Sequence, residues 1–219
     1  MKQTKPAQCI ALALALIALY GCSNRLINPL THTNEQQTKR TEKVFVGIPS
    51  IFSFEGSAVR LDETWMLTAR HNYPTLILKD EVHYHPRCDV ALYKDPINEP
   101  LDDIKIGTVY TGEKIQATGY PKHYPLTTTY GTFDVNVKLT SKRFQNCTYS
   151  GGDFGVMSGM SGGGIWHEKT GHLVGITHGW ALLPVEDHGF IGLFVAIRDL
   201  DPWLKEITGK SFLTEKHTP

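Results

Sequence analysis

Three polar side chains that are far apart in the sequence could together perform acyl-transfer chemistry. His71 follows the apolar run Trp65–Thr68. Asp89 precedes the apolar run Val90–Tyr93, and Ser161 lies among glycines in the string GMSGGG. A serine hydroxyl is a poor nucleophile at neutral pH and needs a base to take its proton. An imidazole can accept that proton and pass it on, and a carboxylate can hold the imidazole in the tautomer that this requires.

The elements that would position these side chains read as short strands rich in β-branched and aromatic residues, bounded by Gly, Pro or Asp. Such a series without long helical patterns predicts an antiparallel barrel or sandwich. One helix is predicted at Asp201–Ile207, with Asp201 as its N-cap, Pro202 at its first position and Gly209 ending it. The predicted strands are 44–54, 57–61, 65–68, 76–78, 90–93, 114–119, 127–137, 164–166, 173–177 and 191–197.

The order and context of the three motifs resemble those of the chymotrypsin-like serine peptidases, from about Val46 to Ile207. The strings LTARHN around His71, DVAL from Asp89 and GMSGGG around Ser161 stand in that family's order of His, Asp and Ser. The resemblance implies an all-β fold of two six-stranded antiparallel β-barrels with a short C-terminal helix. It also implies a serine endopeptidase that forms an acyl-enzyme, acts on protein or peptide substrates and needs no cofactor and no metal.

The resemblance further assigns positions around the nucleophile. The N–H groups of Gly159 and Ser161 would form an oxyanion hole, since glycine allows the backbone conformations that aim both groups at one point. Gly155 would lie at the base of the primary specificity pocket, and an uncharged residue there implies little preference for Arg or Lys. The residues expected to line the substrate cleft are Gly155, Thr177, His178 and Gly179.

Two of the departures from the family pattern lie close to His71. Asn72 stands where the family usually carries a cysteine after the histidine, so a common disulfide is absent. Only 18 residues separate His71 from Asp89, which requires very short intervening connections.

The first residues look like an export signal. Residues 1–21 combine Lys2 and Lys5 with the apolar run Ile10–Tyr20, which is short for a membrane span. The run ends in LYGC, which resembles the bacterial lipobox and implies lipidation of Cys22. We therefore expect a lipoprotein signal peptide over 1–21, a lipidated flexible tether over 22–42 and the peptidase domain over 43–219. The alternative is an ordinary secretory peptide or an uncleaved anchor.

Charge and context bear on partners and location. The chain has 22 basic and 22 acidic side chains, which gives no long-range field to attract nucleic acid. Residues 1–21 hold two lysines and no acid, so the rest has 20 basic and 22 acidic side chains, and membrane attachment would depend on lipid rather than charge. Because Ser23 follows Cys22, we expect the outer membrane of a bacterial envelope, facing the periplasm.

Two cysteines remain once the signal and Cys22 are set aside. In an exported domain Cys88 and Cys147 could form a disulfide, or both could be buried free thiols. A rival interpretation joins Cys88 with His83 and His85, and with His71, in a metal cluster, because alternating histidines share one face of a strand.

Two other functions are compatible with the same motifs. The chain could be a catalytically weak or inactive peptidase-fold protein that binds without cutting, for which Arg70 beside the base and the short His–Asp spacing are suggestive. It could also act on esters instead of peptides. The sequence context separates it from α/β-hydrolases, in which a helix follows the nucleophile, since a strand follows Ser161 here.

Overall fold

A computed structural model of the chain describes residues 34–48, 52–139, 147–182 and 189–214. Antiparallel strands are the main secondary structure of this part of the chain, with a helix at each end and a 3-10 helix at Arg70–Leu76. The helices are α1 (Glu35–Arg40) and α2 (Ile197–Thr208). The strands are β1 (Thr41–Ile48), β2 (Phe52–Arg60), β3 (Trp65–Thr68), β4 (Asp80–Tyr84), β5 (Ala91–Lys94), β6 (Lys114–Gly119), β7 (Thr127–Leu139), β8 (Cys147–Gly152), β9 (Gly164–His167), β10 (Leu173–Leu182) and β11 (Phe190–Ala196).

The strands form two sheets. The first five build a sheet in the order β1-β2-β3-β5-β4, and the last six close into a barrel in the order β10-β11-β8-β7-β6-β9. The all-β fold class is confirmed, and so is the six-stranded C-terminal barrel. The N-terminal sheet differs from the expected barrel of six strands, because it has five strands within the described residues.

The predicted strand 44–54 is instead the end of β1 and the start of β2, and the structure differs from the predicted strands at three further places. Residues 76–78, predicted as a strand, end the 3-10 helix and enter a turn. Strand β4 was not predicted, because it is an edge strand without buried residues and therefore has no apolar alternation. Strand β8 was also not predicted, since Ser150, Gly151 and Gly152 have low strand propensity. Packing requires glycine at Gly152, because a Cβ there would lie 2.3 Å from the backbone carbonyl oxygen of Thr132.

The hydrophobic core joins the two sheets into one body. Its largest cluster contains Val59, Leu67 and Leu92 from the N-terminal sheet together with Trp166 and Leu193 from the barrel. All five side chains are fully buried or nearly so. The core therefore fixes the ends of strands from both sheets relative to each other, which is where the candidate site lies.

The folded part begins before the predicted boundary at residue 43. Asn34 caps α1, with its Oδ1 accepting the N–H of Gln37 at 2.8 Å. Arg40 is buried and donates to the carbonyl oxygens of Arg60 and Leu61 at 3.1 and 3.2 Å. Residues 34–42, expected within the tether, thus belong to the fold. Residues 1–33, with the predicted signal and Cys22, lie outside the described residues.

The C-terminal helix starts earlier than predicted. It begins at Ile197 with Ala196 as N-cap, not at Asp201. Asp201 is buried within the helix and accepts the N–H of Phe212 at 2.9 Å and the hydroxyl of Ser211 at 2.8 Å. Gly209 ends the helix as predicted, with φ of +79°. In the part of the chain that the structure describes, every helix is too short or too polar to cross a membrane.

Candidate active site

His71 and Asp89 meet at the end of the N-terminal sheet. The chain leaves β3 at Thr68 and turns into the 3-10 helix, which carries His71, while Asp89 lies just before β5. Because β3 and β5 are antiparallel neighbours, the end of β3 lies beside the start of β5, and the segments that carry His71 and Asp89 lie at the same end of the sheet. The Nδ1 of His71 lies 2.5 Å from Oδ2 of Asp89, and the His71 N–H donates to Oδ1 at 2.8 Å. The short sequence spacing is therefore sufficient to bring the two together.

Asp89 is held in its ionised form. Its carboxylate is buried, and burial by itself would raise its pKa. Hydrogen bonds from the rings of His178 and His71 outweigh this effect and hold the pKa of Asp89 well below its usual range. A charged carboxylate at neutral pH can orient the imidazole of His71 and stabilise its protonated form.

Ser161 lies on a tight turn between β8 and β9 that depends on glycine. Gly159 has φ of +95° and Gly162 has φ of +88°. A Cβ at Gly162 would lie 2.0 Å from the carbonyl oxygen of Ser57, and one at Gly159 would lie 2.5 Å from that of Tyr120. No other residue type fits either position without displacing backbone.

Two residues that sequence reasoning did not assign to the site fasten this turn to the N-terminal sheet. The carbonyl oxygen of Ser161 accepts the Ser57 N–H at 2.9 Å and the Asn72 side-chain amide at 2.9 Å. The Ser57 hydroxyl donates to the carbonyl oxygen of Gly159 at 2.8 Å. Asn72 thus ties the helix that carries His71 to the turn that carries Ser161. The position of Asn72 directly after His71 was the only feature of the sequence that could have pointed to this role.

The hydroxyl of Ser161 donates to the carbonyl oxygen of His178 at 3.0 Å. Among the hydrogen bonds of the described residues, none joins this hydroxyl to the ring of His71. The sequence predicts that the imidazole of His71 contacts both the Asp89 carboxylate and the Ser161 hydroxyl. The structure has the first of these contacts and not the second. For proton transfer to His71, the hydroxyl must leave the His178 carbonyl.

The backbone around Ser161 offers two unused donors. The N–H of Met160 is occupied by the carbonyl oxygen of Met157 at 3.0 Å, and that of Gly162 by the carbonyl oxygen of Thr177 at 2.8 Å. Within the described part of the chain, the N–H groups of Gly159 and Ser161 have no acceptor. These are the two groups that the sequence assigns to an oxyanion hole.

The predicted substrate-binding residues fall into two groups. Gly155 and Thr177 are buried and hold the structure together: Gly155 accepts the Thr129 hydroxyl at 2.7 Å, and the N–H of Thr177 donates to Gly163 at 2.8 Å. At Gly179, by contrast, an added Cβ would have no atom within 4 Å, so this position faces open space. A substrate could therefore contact Gly179 without displacing other residues, unlike the buried Gly155 and Thr177.

His178, predicted in the substrate cleft, contacts Asp89. Its Nδ1 lies 2.6 Å from Oδ2 of Asp89, the same oxygen that His71 contacts. Its ring packs edge-on against His71 at 5.7 Å and tilted against Tyr149 at 4.6 Å. Nothing in the sequence indicated this contact, because the contact depends on how β10 of the barrel packs beside the start of β5.

The rival metal cluster is not assembled. Cys88 is bonded to Cys147 with an S–S distance of 2.13 Å, and His85 Nδ1 accepts the N–H of Cys88 at 2.8 Å. The ring of His83 lies 3.5 Å from Glu81. In the described residues, the group of three ligand-type side chains whose atoms all lie within 4.8 Å of one another is His71, Asp89 and His178. Both imidazoles there point Nδ1 directly at one carboxylate oxygen, so direct hydrogen bonds account for this group.

Solved protease structures share the fold. The chain superimposes on the active form of the Rv3671c protease from M. tuberculosis with a TM-score of 0.61 and 16% identity, over 89% of this chain and 97% of that one. For the MamO protease domain from Magnetospirillum magneticum the TM-score is 0.61 and the identity 17%, over 76% of this chain and 96% of that one. For the HtrA-type protease AlgW with a tripeptide the values are 0.58 and 20%, over 80% of this chain and 64% of that one.

These likenesses define the class of fold. The chain has the chymotrypsin-like fold of these serine proteases, as the motifs around His71, Asp89 and Ser161 predicted. It spans less than two thirds of the length of AlgW. No protein-family model matches the sequence, and no curated protein matches it.

Proposed function

We propose that this chain is a serine endopeptidase in which Ser161 is the nucleophile, His71 the general base and Asp89 the residue that orients His71. The contact that carries the proposal is the pair of hydrogen bonds from His71, through Nδ1 and its own N–H, to the buried carboxylate of Asp89. With Nδ1 held in this way, Nε2 of His71 is the atom free to take a proton.

The reaction would proceed through an acyl-enzyme. Ser161 Oγ attacks the scissile carbonyl carbon while His71 Nε2 takes the hydroxyl proton, and the bond to the leaving amine breaks as His71 returns that proton to nitrogen. Water then hydrolyses the ester with the same base. The unused N–H groups of Gly159 and Ser161 would receive the oxyanion, and one such donor contributes about 3 kcal/mol to lowering the barrier.

Peptides are the substrate class we favour. The structure of AlgW, a protease that shares this fold, was solved with a tripeptide. In this chain Gly179 leaves open space beside β10, where an extended peptide could lie. The buried, uncharged Gly155 supports the expectation of little preference for Arg or Lys.

The test is labelling with a fluorophosphonate probe, which reacts with an activated serine. We expect the wild type to be labelled and Ser161→Ala and His71→Ala to remain unlabelled. Both variants should stay folded, with a free energy of unfolding within about 1 kcal/mol of that of the wild type. Mass spectrometry should place the probe on Ser161. A folded wild type without label would reject the proposal.

The alternative, a peptidase-fold binding protein, has one specific observation in its favour. The Ser161 hydroxyl is engaged by the carbonyl of His178 and not by His71. Under this alternative, wild type and Ser161→Ala would both be folded and would both remain unlabelled.

We also propose that the protein is exported and lipid-anchored at Cys22, on the strength of the LYGC string and the disulfide between Cys88 and Cys147. Location at the outer membrane, facing the periplasm, is part of this proposal. Metabolic labelling with a fatty acid should mark the wild type and not Cys22→Ser. Equal release of both proteins from membranes by salt would contradict it.

A further inference from the structure

A register shift in β10 turns His178 towards the candidate active site. Thr177 pairs with Phe194 and Gly179 pairs with Leu193, so His178 lies between two consecutive pairs and has no partner on β11. Such bulges bend a strand and re-aim a side chain. Here the bulge frees both the ring and the carbonyl of one residue for contacts outside the barrel.

The ring completes the surroundings of Asp89. Oδ2 accepts from His71 Nδ1 at 2.5 Å and from His178 Nδ1 at 2.6 Å, while Oδ1 accepts the His71 N–H at 2.8 Å. A buried carboxylate is costly unless hydrogen bonds replace its water. The side chain of Asp89 is fully buried, and His178, with 23% of its side chain exposed, lies between it and solvent.

The main chain of the same residue reaches the nucleophile, because its carbonyl oxygen accepts the Ser161 hydroxyl at 3.0 Å. His178 therefore contacts two members of the proposed triad by different groups. Its side chain can be changed without removing the carbonyl, so the two contacts can be separated by experiment.

We propose that His178 is a positioning residue, whose ring fixes the Asp89 carboxylate and shares its charge with His71. This inference rests on the proposed function and assigns to His178 a role other than substrate binding. Two donors on one oxygen hold the carboxylate in a single orientation, and each withdraws charge from the other donor. The ionisable groups that face the His178 ring are Asp89 ahead of β5, His71 on the 3-10 helix and Tyr149 on β8.

The first measurement is the rate of fluorophosphonate labelling of Ser161 as a function of pH. His178→Ala removes the donor, and His178→Asn replaces it with a neutral amide nitrogen at the same position along the side chain. We expect His178→Ala to slow labelling roughly 10- to 100-fold, the size of effect known for residues that orient metal ligands through hydrogen bonds. We expect His178→Asn to retain most of the wild-type rate.

The dependence of the labelling rate on pH should also shift in a defined direction. With His178 removed, the undivided charge of Asp89 attracts a protonated His71 ring more strongly, so the acid limb of the profile moves to higher pH in His178→Ala. The small probe needs no extended cleft, so a residue that only binds peptide would leave both rate and limb unchanged. Wild-type rate and limb in His178→Ala would overturn the inference.

A second measurement does not require a reactive serine. In proton NMR, wild type should show two slowly exchanging, downfield imidazole N–H signals, one each from His71 and His178. His178→Ala should lose one and keep the other, and Asp89→Asn should move both. A single such signal in wild type would overturn the inference. Two signals with an unlabelled Ser161 would instead reject the proposed function alone.

Discussion

At the scale of single residues, Asn72 shows how a site is held by a group that the family pattern treats as a departure. The side-chain amide donates to the carbonyl oxygen of Ser161 at 2.9 Å and to the hydroxyl of Thr68 at 3.0 Å. It is almost fully buried, and a Cβ at Gly56 would lie 2.4 Å from its Nδ2. These hydrogen bonds hold the segment that carries His71 against the turn that carries Ser161 without a covalent cross-link.

We predict that Asn72→Ala lowers the free energy of unfolding by about 1–3 kcal/mol, because it removes a buried donor from two acceptors. Labelling of Ser161 should slow as well, since the turn loses one of the three hydrogen bonds that join it to the N-terminal half. Urea unfolding and labelling rates measure the two effects. The exposed Asn98 provides a control, because Asn98→Ala should change neither. Unchanged stability and labelling in Asn72→Ala would contradict the assignment.

At the scale of elements, the connection between β4 and β5 must hold Asp89 in place without regular structure. His85 does this by accepting the N–H of Cys88 at 2.8 Å and that of Arg87 at 3.2 Å on Nδ1. Its ring also packs edge-on against Trp203 of α2. Burial, with smaller effects from the charges of Arg87 and Arg70, lowers the pKa of His85 to about 4. The ring is therefore neutral in the folded protein at neutral pH.

The pH dependence of stability follows from this lowered pKa. Below pH 6.5 the unfolded chain protonates His85, whereas the folded chain does so only near pH 4. The unfolded state binds more protons in this window, so acidification lowers the free energy of unfolding, by up to about 1.4 kcal/mol per pH unit.

His85→Asn should flatten this dependence, because the Asn side-chain oxygen can accept the same N–H groups without titrating. Urea unfolding of both proteins between the two pH values measures the difference in slope. The lost packing against Trp203 shifts the curve equally at each pH and does not affect the comparison. Parallel curves for the two proteins would mean that His85 is not responsible.

At the scale of the whole molecule, the disulfide links the two sheets beside the site. Cys88 precedes Asp89 in the N-terminal half, and Cys147 begins β8 of the barrel, two residues before Tyr149. The bond joins positions 59 residues apart, with a Cα–Cα distance of 5.0 Å. It therefore restrains both Asp89 and the strand that packs on His178.

We predict that the double variant Cys88→Ser, Cys147→Ser loses about 4 kcal/mol of unfolding free energy, from the loop entropy that a bond of this span removes from the unfolded chain. Reductant should lower the urea midpoint of the wild type to that of the double variant and leave the variant unchanged. A midpoint that does not respond to reductant would show that the bond is absent in solution.

The amino-acid sequence by itself determined the fold class and the parts of the chain that approach the site. The runs around His71 and Asp89 and the glycines around Ser161 were readable, because backbone conformation and strand periodicity leave local patterns. Strands β4 and β8 left no such pattern, since one is an exposed edge and the other consists largely of small residues. Only the tertiary structure decided that His178 faces Asp89 and that Asn72 joins the Ser161 turn. Both contacts link residues about 90 positions apart in the chain (89 in each case), and no local sequence pattern records contacts at that range.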